Sequence, residues 1–559
     1  MAIQDHSSTR TSNEFYGESS LVSLLREMVQ PPSKNDDQGG RSRRTTSPPP
    51  ATPTAGYSTG YNASSVSAML QEEFALPPRE VTDRLLGTYF DSVHIFYPWT
   101  HSLSFQDEYE RLWSPPRQDD NRPDIGLGGG RCPRRVFFTA LNAMLALGCE
   151  FSNVCPEDKE AASAMFFNRM KKLLQFDILD SGSISHVQAL LLVGQYLLCT
   201  HYPTQCWNVV GLAGRMAIGL GLQLNRCTDD VSEIEKEIKR RVWYGCVQMD
   251  MTVSMTLGRP PSLYLDENVP LPLPIDDVYM PLNAPHIGQP PGTYSTNMFT
   301  VENIKLANLL GKILESVYQR SITAGTAASS LQGSVLTHDD LNVILHIDSQ
   351  LESFADSLPP GLQWDMAAQS NDEIPPTLKR QSNVLRARFL HMKVFLYRPS
   401  FTSFCASAHS RVRARGQRNP GDQKKERPKE SEVAMALRTQ CALVCVRKTC
   451  ELVQSLRNAT TEDATGAWWF TVFYLITSAI IIILTECTPS LKYHLDEHVL
   501  AASWEKCVET LRLVAAVNPV YPLQPLQSSE VNLMQQWEQH NVPISMKSGT
   551  KTREIVFIT

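Results

Sequence analysis

The sequence predicts an all-α protein built as a large multi-helix bundle. Apolar residues recur at helical spacing along most of the chain, as at Val209, Leu212, Met216 and Leu220. Sustained alternation of apolar and polar residues, which is typical of strands, is nearly absent. The chain has 559 residues, of which 42% are hydrophobic, so it can bury a large core.

Charge and cysteine usage indicate an intracellular protein without a general affinity for nucleic acid. The net charge is −6, so the chain as a whole does not attract DNA or an anionic membrane, and DNA contact would need a local basic module. The thirteen cysteines are scattered, and no signal-peptide pattern opens the sequence. We therefore expect reduced thiols in an intracellular compartment.

Residues 1–78 predict a disordered tail, because Ser, Thr, Pro and Gly dominate and little apolar surface can be buried. One short stretch of this tail carries apolar residues spaced along a single helical face, namely Leu21, Leu24, Leu25, Met28 and Val29. Two interpretations remain open. The stretch is either a short amphipathic helix that orders on a partner, or a chance group of apolar residues.

The helical pattern predicts one large helical domain over residues 79–520, here called the helical body. Its first part is rich in aromatic residues, which bury large areas in cores. A loop insertion is expected near residues 114–135, where Pro and Gly break the helical pattern. Two strongly apolar helices follow at residues 140–152 and 186–200.

The centre of the body is an amphipathic helix that carries apolar residues from Ile234 to Leu257. It is expected to end at Gly258, Arg259 and Pro260, because glycine and proline do not continue a helix. Further helices are predicted at residues 303–319, 341–358 and 384–399, the last ending at Arg398 and Pro399.

A basic, breaker-rich run predicts a second loop insertion near residues 404–431. Charged runs of this kind are usually solvated surface. The alternative is a nuclear import signal carried by Lys424, Lys425, Arg427 and Lys429. Residues 521–559 are weakly patterned and predict a poorly ordered tail.

Residues 467–484 contain no charged side chain over eighteen positions. By length and composition this segment reaches the range of a transmembrane helix. It also carries polar Thr471, Thr477 and Ser478, and Glu486 follows soon after. We favour a core helix that is apolar on all sides, and we expect no membrane association.

Catalytic and metal-binding motifs are lacking, so the sequence predicts a protein that is not an enzyme. No nucleophile elbow, phosphate loop, zinc-protease motif or dinucleotide fingerprint occurs. Cys441, Cys445 and Cys450 lie on one predicted helix, with Cys487 further along the chain. Two of them could share a helix face and a metal, but buried small apolar side chains are the favoured interpretation.

The central helices resemble the fungal-specific transcription factor domain, the middle regulatory region of fungal binuclear zinc-cluster transcription factors. The signal depends on the order and spacing of several short pieces together. The residues that carry the resemblance are Arg215 and Gly219; Arg240, Arg241 and Trp243; Asp250; and Gly258, Arg259 and Pro260.

The resemblance implies a nuclear regulator of transcription. Its expected partners are the transcription machinery or another regulator, and it allows a small-molecule effector and a homodimer. The family's zinc cluster uses six cysteines to hold its metals, and no cysteine precedes Cys132. We therefore expect no cofactor in this chain, and DNA contact through a missing segment or a partner.

Asp250 is expected to be buried within the central helix, where an unpaired carboxylate is costly. Our hypothesis is that Asp250 pairs with Arg259 or Arg241 and so fixes the end of the helix. Replacing Asp250 by Ala should then lower the melting temperature.

Overall fold

The computed structural model describes much of the predicted helical body and a short piece of the N-terminal tail. The described residues are 15–24, 74–114, 123–152, 156–174, 182–199, 203–224, 231–264, 269–282, 287–319, 338–364, 375–416 and 432–517. Of these residues 75% are helical and none is in a strand, which confirms the all-α class.

Seven α-helices lie in the described residues of the N-terminal half of the body. They are α1 (Arg79–Tyr89), α2 (Ser102–Arg111), α3 (Arg134–Phe151), α4 (Pro156–Leu173), α5 (Ile184–Leu198), α6 (Pro203–Gly219) and α7 (Glu233–Leu257). Helix α3 lies between α1, α4 and α5, and α5 packs on α6 and α7. Helices α3 and α5 are apolar on nearly all sides and buried along most of their length, so they form the core of this half.

The second half contains the longer helices. They are α8 (Met298–Ile313), α9 (His338–Asp356), α10 (Pro376–Gly416), α11 (Glu432–Thr461), α12 (Trp468–Glu486), α13 (Pro489–Lys492) and α14 (Glu497–Val517). Helices α10 and α11 pack along each other, while α8 contacts α7, α9 and α10 and thereby joins the two halves.

Helix α12 is the apolar segment for which a transmembrane span was the alternative. By length and composition it could cross a membrane, yet 83% of its most apolar window is buried in the fold. It contacts α10, α11 and α14. The hydroxyl groups of Thr477 and Ser478 donate to carbonyl oxygens one turn back, at Phe473 and Tyr474. This burial agrees with the interpretation as a core helix.

Helix α10 differs from the sequence-based expectation, because it continues through Pro399 to Gly416. A proline inside a helix removes the N–H that would bond to the carbonyl four residues earlier, here that of Phe395. The hydroxyl of Tyr318 donates to this carbonyl instead, at 2.7 Å. The expectation of a helix end at Arg398 and Pro399 was therefore wrong, because a tertiary donor takes over the freed carbonyl. The part of the expected loop between residues 404 and 416 is likewise helical.

Residues 15–24 pack against the helical body, although they belong to the stretch for which disorder was predicted. Leu21 and Leu24 are buried in the core cluster. The remaining apolar residues of that stripe, Leu25, Met28 and Val29, lie outside the described residues.

Candidate functional site

The residues singled out in the sequence occupy three settings around helices α6 and α7. Arg215, Gly219 and Pro260 are exposed, Arg240 and Arg259 are half-buried, and Arg241, Trp243, Asp250 and Gly258 are buried. Lys424, Lys425, Arg427 and Lys429, the candidate import signal, lie outside the described residues.

Arg241 is the centre of a buried ionic network on the first half of α7. Its guanidinium donates to Glu237 Oε1 at 2.9 Å and to Asp277 Oδ1 at 2.7 Å. A third bond reaches the carbonyl oxygen of Ile275 at 2.9 Å. The side chain is 1% exposed. Arg241 therefore clamps the irregular segment around Asp277 onto the helix.

Asp277 also binds the start of helix α2. Its second oxygen accepts from the backbone N–H and the hydroxyl of Ser102, each at 2.7 Å. Burial alone would raise the pKa of Asp277, but the Arg241 guanidinium and the neighbouring His94 hold it well below its usual range. The network therefore links α2, α7 and the segment between them through charge-assisted hydrogen bonds.

Asp250 lies two to three turns further along α7 and does not form the expected ion pair. Its Oδ2 atom accepts from the backbone N–H of Ser262 at 2.7 Å and of Leu263 at 2.8 Å. Burial raises its pKa to about 6, although these two donors oppose the shift. The hypothesis was wrong about the partner, since Arg241 bonds to Glu237 and Asp277, but Asp250 does fix the chain beyond the helix end.

Helix α7 ends at Gly258, which has a left-handed backbone with φ of 71°. The following Arg259 does not face Asp250. Its guanidinium lies over the ring of Trp207, 5.3 Å from the centroid, and its Nε donates to the carbonyl oxygen of Phe15 at 3.1 Å. Arg259 thus connects the helix end to α6 and to the N-terminal segment.

A cavity of about 50 Å³ lies where the two halves of the body meet. A single buried water needs roughly 10–15 Å³ on this measure, so the cavity has room for about three to five waters. Helices α5, α7, α8, α10 and α12 supply its walls. The lining residues that bear on its chemistry are Tyr97, Gln195, Gln248, Asn303, Arg388, His391, Trp469, Phe470 and Tyr474.

Several polar atoms of the cavity wall are buried without a partner in the described part of the protein. They are both amide atoms of Gln195, the amide nitrogen of Gln248 and the indole nitrogen of Trp469. Buried polar groups are nearly always hydrogen-bonded in native proteins. Ordered water or a polar ligand in the cavity would satisfy these atoms.

Arg388 provides the positive charge of the cavity wall. It donates to Asn303 Oδ1 and, at 2.7 Å, to the hydroxyl of Tyr97. The guanidinium also lies against the rings of Tyr97, Phe299 and Phe470, at 5.6 to 5.7 Å from their centroids. This packing fixes the position of the charge.

His391 lies one turn from Arg388 on the same helix. Burial, with a smaller contribution from the charge of Arg398, lowers its pKa to about 3. The imidazole is therefore neutral at physiological pH, and it stacks on Tyr474 with centroids 4.4 Å apart. The cavity combines one fixed cation, amides and aromatic faces, with no carboxylate or thiol among its lining residues.

The cysteines considered as metal ligands do not converge. Cys441 and Cys445 are buried on α11, and Cys450 and Cys487 are half-buried. Burial raises the pKa of Cys441, Cys445 and Cys450. In the part of the chain that the structure describes, no group of three or more His, Cys, Asp or Glu residues is placed to hold a metal ion.

The sequence did not point to Gln195, Gln248 or Arg388 as members of one site. The sequence pattern around these residues gave only weak evidence of a shared site. Gln195 is one of a few polar residues in a predominantly apolar helix, whereas Arg388 belongs to a helix with frequent polar positions.

Comparison with known proteins identifies the domain. Residues 86–356 match the model of the fungal specific transcription factor domain. The chain is 25% identical over 470 residues to the sorbicillinoid biosynthetic cluster transcription factor 2 of Penicillium rubens, covering 82% of this chain and 61% of that relative. No solved structure matches it with significant similarity.

Two further relatives carry names of the same kind. Transcription factor FBD3 of Gibberella moniliformis is 24% identical, over 73% of this chain and 50% of the relative. Activator of stress genes protein 1 of Candida albicans is 26% identical, over 67% and 39%. The chain thus spans between about two fifths and three fifths of the length of these relatives. Residues 86–356 thus match the fungal specific transcription factor domain, and the chain is similar over most of its length to fungal transcription factors.

Proposed function

We propose that this chain is the regulatory part of a nuclear transcription regulator and that its helical body senses a small-molecule effector in the Arg388 cavity. DNA contact comes from a zinc-cluster segment outside this sequence or from a partner regulator. The transcription machinery is the target of the regulatory output, and the chain catalyses no reaction. The three relatives described above are two transcription factors and an activator of stress genes, and these names support the regulatory role.

The cavity is the observation that supports effector sensing. Its unpaired amides at Gln195 and Gln248 offer donors and an acceptor, and Arg388 offers a fixed positive charge. A small, flat molecule with a carboxylate would place its anion near Arg388 and its ring among the aromatic side chains. Because α5, α7 and α8 face α10 and α12 across the cavity, such a ligand would contact both halves of the body.

The regulatory role is tested by fusing the full chain to an unrelated DNA-binding module and measuring a reporter gene in a fungal host. Recruitment of the transcription machinery predicts a change in reporter output of several-fold relative to the module alone. Unchanged output with and without the chain, at equal protein levels, would contradict the proposed role.

Ligand binding is tested with benzoate and benzamide, which share a ring but differ in charge. We expect benzoate to raise the unfolding temperature of the full chain more than benzamide does, since a ligand bound to the folded state stabilises it. Arg388→Met should abolish this difference. Arg386→Met, two residues away on the same helix and outside the cavity lining, should retain it.

Comparing the two compounds and the two variants separates specific binding from a general salt effect. A benzoate effect that survives Arg388→Met would show that the anion binds elsewhere. An equal effect of benzoate and benzamide on the unmodified chain would argue against a role for the Arg388 charge. A change in reporter output with Arg388→Met but not with Arg386→Met would connect the cavity to regulation.

A further inference from the structure

The N-terminal segment formed by residues 15–24 lies in a groove between two of the sequence motifs described above. One side of the groove is the end of α7 at Leu257, Gly258 and Arg259. The other side is Arg398 on α10. Residues 25–73 separate this segment in sequence from the next described residue, Phe74.

The two backbones meet at a pair of glycines. The N–H of Gly17 donates to the carbonyl oxygen of Leu257 at 3.1 Å. This carbonyl has no intrahelical donor, because the residue four positions later is Pro261. A Cβ atom on Gly17 would lie 1.9 Å from the carbonyl oxygen of Gly258. A side chain at position 17 is therefore incompatible with this approach of the two backbones.

Two arginines of the body recognise the backbone carbonyl groups of the segment. Arg259 donates to the carbonyl of Phe15 at 3.1 Å. Arg398 donates to the carbonyls of Glu18 at 3.1 Å and Ser19 at 2.7 Å. The Arg398 guanidinium is buried against the rings of Tyr318 and Phe395, and no carboxylate of the described residues lies within ion-pair distance of it. The segment carbonyls therefore stabilise a buried charge.

The rest of the segment forms one helical turn that enters the apolar core. The hydroxyl of Ser20 accepts from the N–H of Ser23 at 3.1 Å and donates to the carbonyl of Gly17 at 2.6 Å, as an N-cap residue does. Leu21 and Leu24 then lie buried, at 5% and 2% exposure. The contacts combine backbone recognition with two apolar anchors, as in groove-bound peptides.

The groove also has a defined position relative to the cavity. On α7, the groove lies at the helix end, after the cavity residues Gln248 and Met255 in the sequence. On α10, it lies after the cavity residues Arg388 and His391. A segment bound here therefore ties together two helices that face each other across the cavity.

We propose that the groove between the end of α7 and Arg398 is a peptide-binding site and that its ligand is residues 15–24 of the same chain. The bound segment acts as a detachable clasp on α7 and α10. This proposal does not depend on the identity of the effector or on the regulatory role.

The test uses a fluorescein-labelled peptide of residues 15–24 and the full chain. In the unmodified chain the N-terminal segment occupies the groove, so added peptide can bind only the small fraction of molecules in which the groove is open. The apparent affinity for added peptide is therefore low. Gly17→Ala in the chain should displace the clasp and strengthen binding of the peptide by about tenfold or more in fluorescence anisotropy. Gly87→Ala is the matched control, because a Cβ atom there meets open space within α1.

A second variant, Leu24→Asp, removes an apolar anchor of the clasp and should vacate the groove without altering the body. A labelled peptide that itself carries Gly17→Ala should bind none of the chains. The proposal is overturned if neither variant binds the unmodified peptide, or if the unmodified chain binds it equally well. A dimer of the unmodified chain that dissociates when peptide is added would place the segment in a second copy and overturn the same-chain assignment.

Discussion

Arg241 and Arg240 are neighbours on α7, and we expect them to differ strongly in how much each stabilises the fold. Arg241 is 1% exposed and bonded to two buried carboxylates, Glu237 and Asp277. Arg240 is 19% exposed and lies 3.7 Å from Glu237. Replacing each arginine by Met keeps much of the apolar stem and removes the charge.

The burial of each arginine sets the loss of unfolding free energy that we expect from its replacement. Removing one member of a buried ion network leaves uncompensated buried charge and costs about 3–5 kcal/mol. A partly exposed pair contributes about 0–1 kcal/mol. We expect Arg241→Met to lower the free energy of unfolding by about 3–5 kcal/mol and Arg240→Met by less than about 1 kcal/mol.

The pH dependence provides an independent signature. Arg241 holds the pKa of Asp277 well below its usual range, so this contribution is present above the unfolded pKa and is lost as pH falls through the folded pKa. Without Arg241, burial favours the protonated carboxyl groups. The difference in stability between the unmodified chain and Arg241→Met should therefore be largest near pH 7 and shrink as the pH approaches 4.

Urea unfolding followed by tryptophan fluorescence measures these free energies at each pH. The reasoning is refuted if Arg241→Met and Arg240→Met differ by less than about 1 kcal/mol at pH 7. A pH-independent difference would show that Arg241 acts through packing and not through charge.

Two more predictions concern single buried contacts. Asp250→Ala leaves two backbone N–H groups without an acceptor and should cost about 2–4 kcal/mol, read as a lower melting temperature. Burial raises the pKa of Asp250 to about 6, so protonation of this carboxyl adds stability that is full below about pH 4 and is lost as the pH rises through about 6, by about 3 kcal/mol. This pH-dependent part is separate from the cost of the two lost hydrogen bonds. Asp250→Asn should remove it from the pH profile, and an unchanged profile would contradict the shift. Tyr318→Phe leaves the carbonyl opposite Pro399 without a donor and should cost about 1–3 kcal/mol in urea unfolding. Tyr264→Phe, at an exposed position, should cost nothing measurable, and equal effects of the two substitutions would refute the role of Tyr318.

The sequence pattern predicted those features of the fold that are determined within one short stretch of the chain. Helix α7 and its end at Gly258 follow from periodicity and from a glycine followed by prolines. The burial of α12 follows from its uncharged eighteen positions. In both elements the determining residues lie within one stretch, so a window of sequence contains the information.

Partners far apart in sequence were not predicted. The pattern suggested that Asp250 needs a partner, but it could not tell that two backbone N–H groups would serve as well as an arginine. Pro399 predicts a helix end by local rules, because the compensating donor Tyr318 is 77 residues from the Phe395 carbonyl in the sequence. Asp277 lies in an irregular stretch of the chain, and its link to Arg241 depends on how that stretch folds back.

The polar lining of the cavity argues against a role in packing alone. Each buried amide without a partner costs about 1–3 kcal/mol, so packing would favour apolar residues of similar size at Gln195 and Gln248. Ordered waters satisfy such groups at small cost, and the cavity has room for several. A carboxylate ligand would replace these waters with charge-assisted bonds near Arg388, which water does not provide. Because α7 and α10 both line this cavity and both contact residues 15–24, occupancy of the cavity and of the groove would act on the same pair of helices.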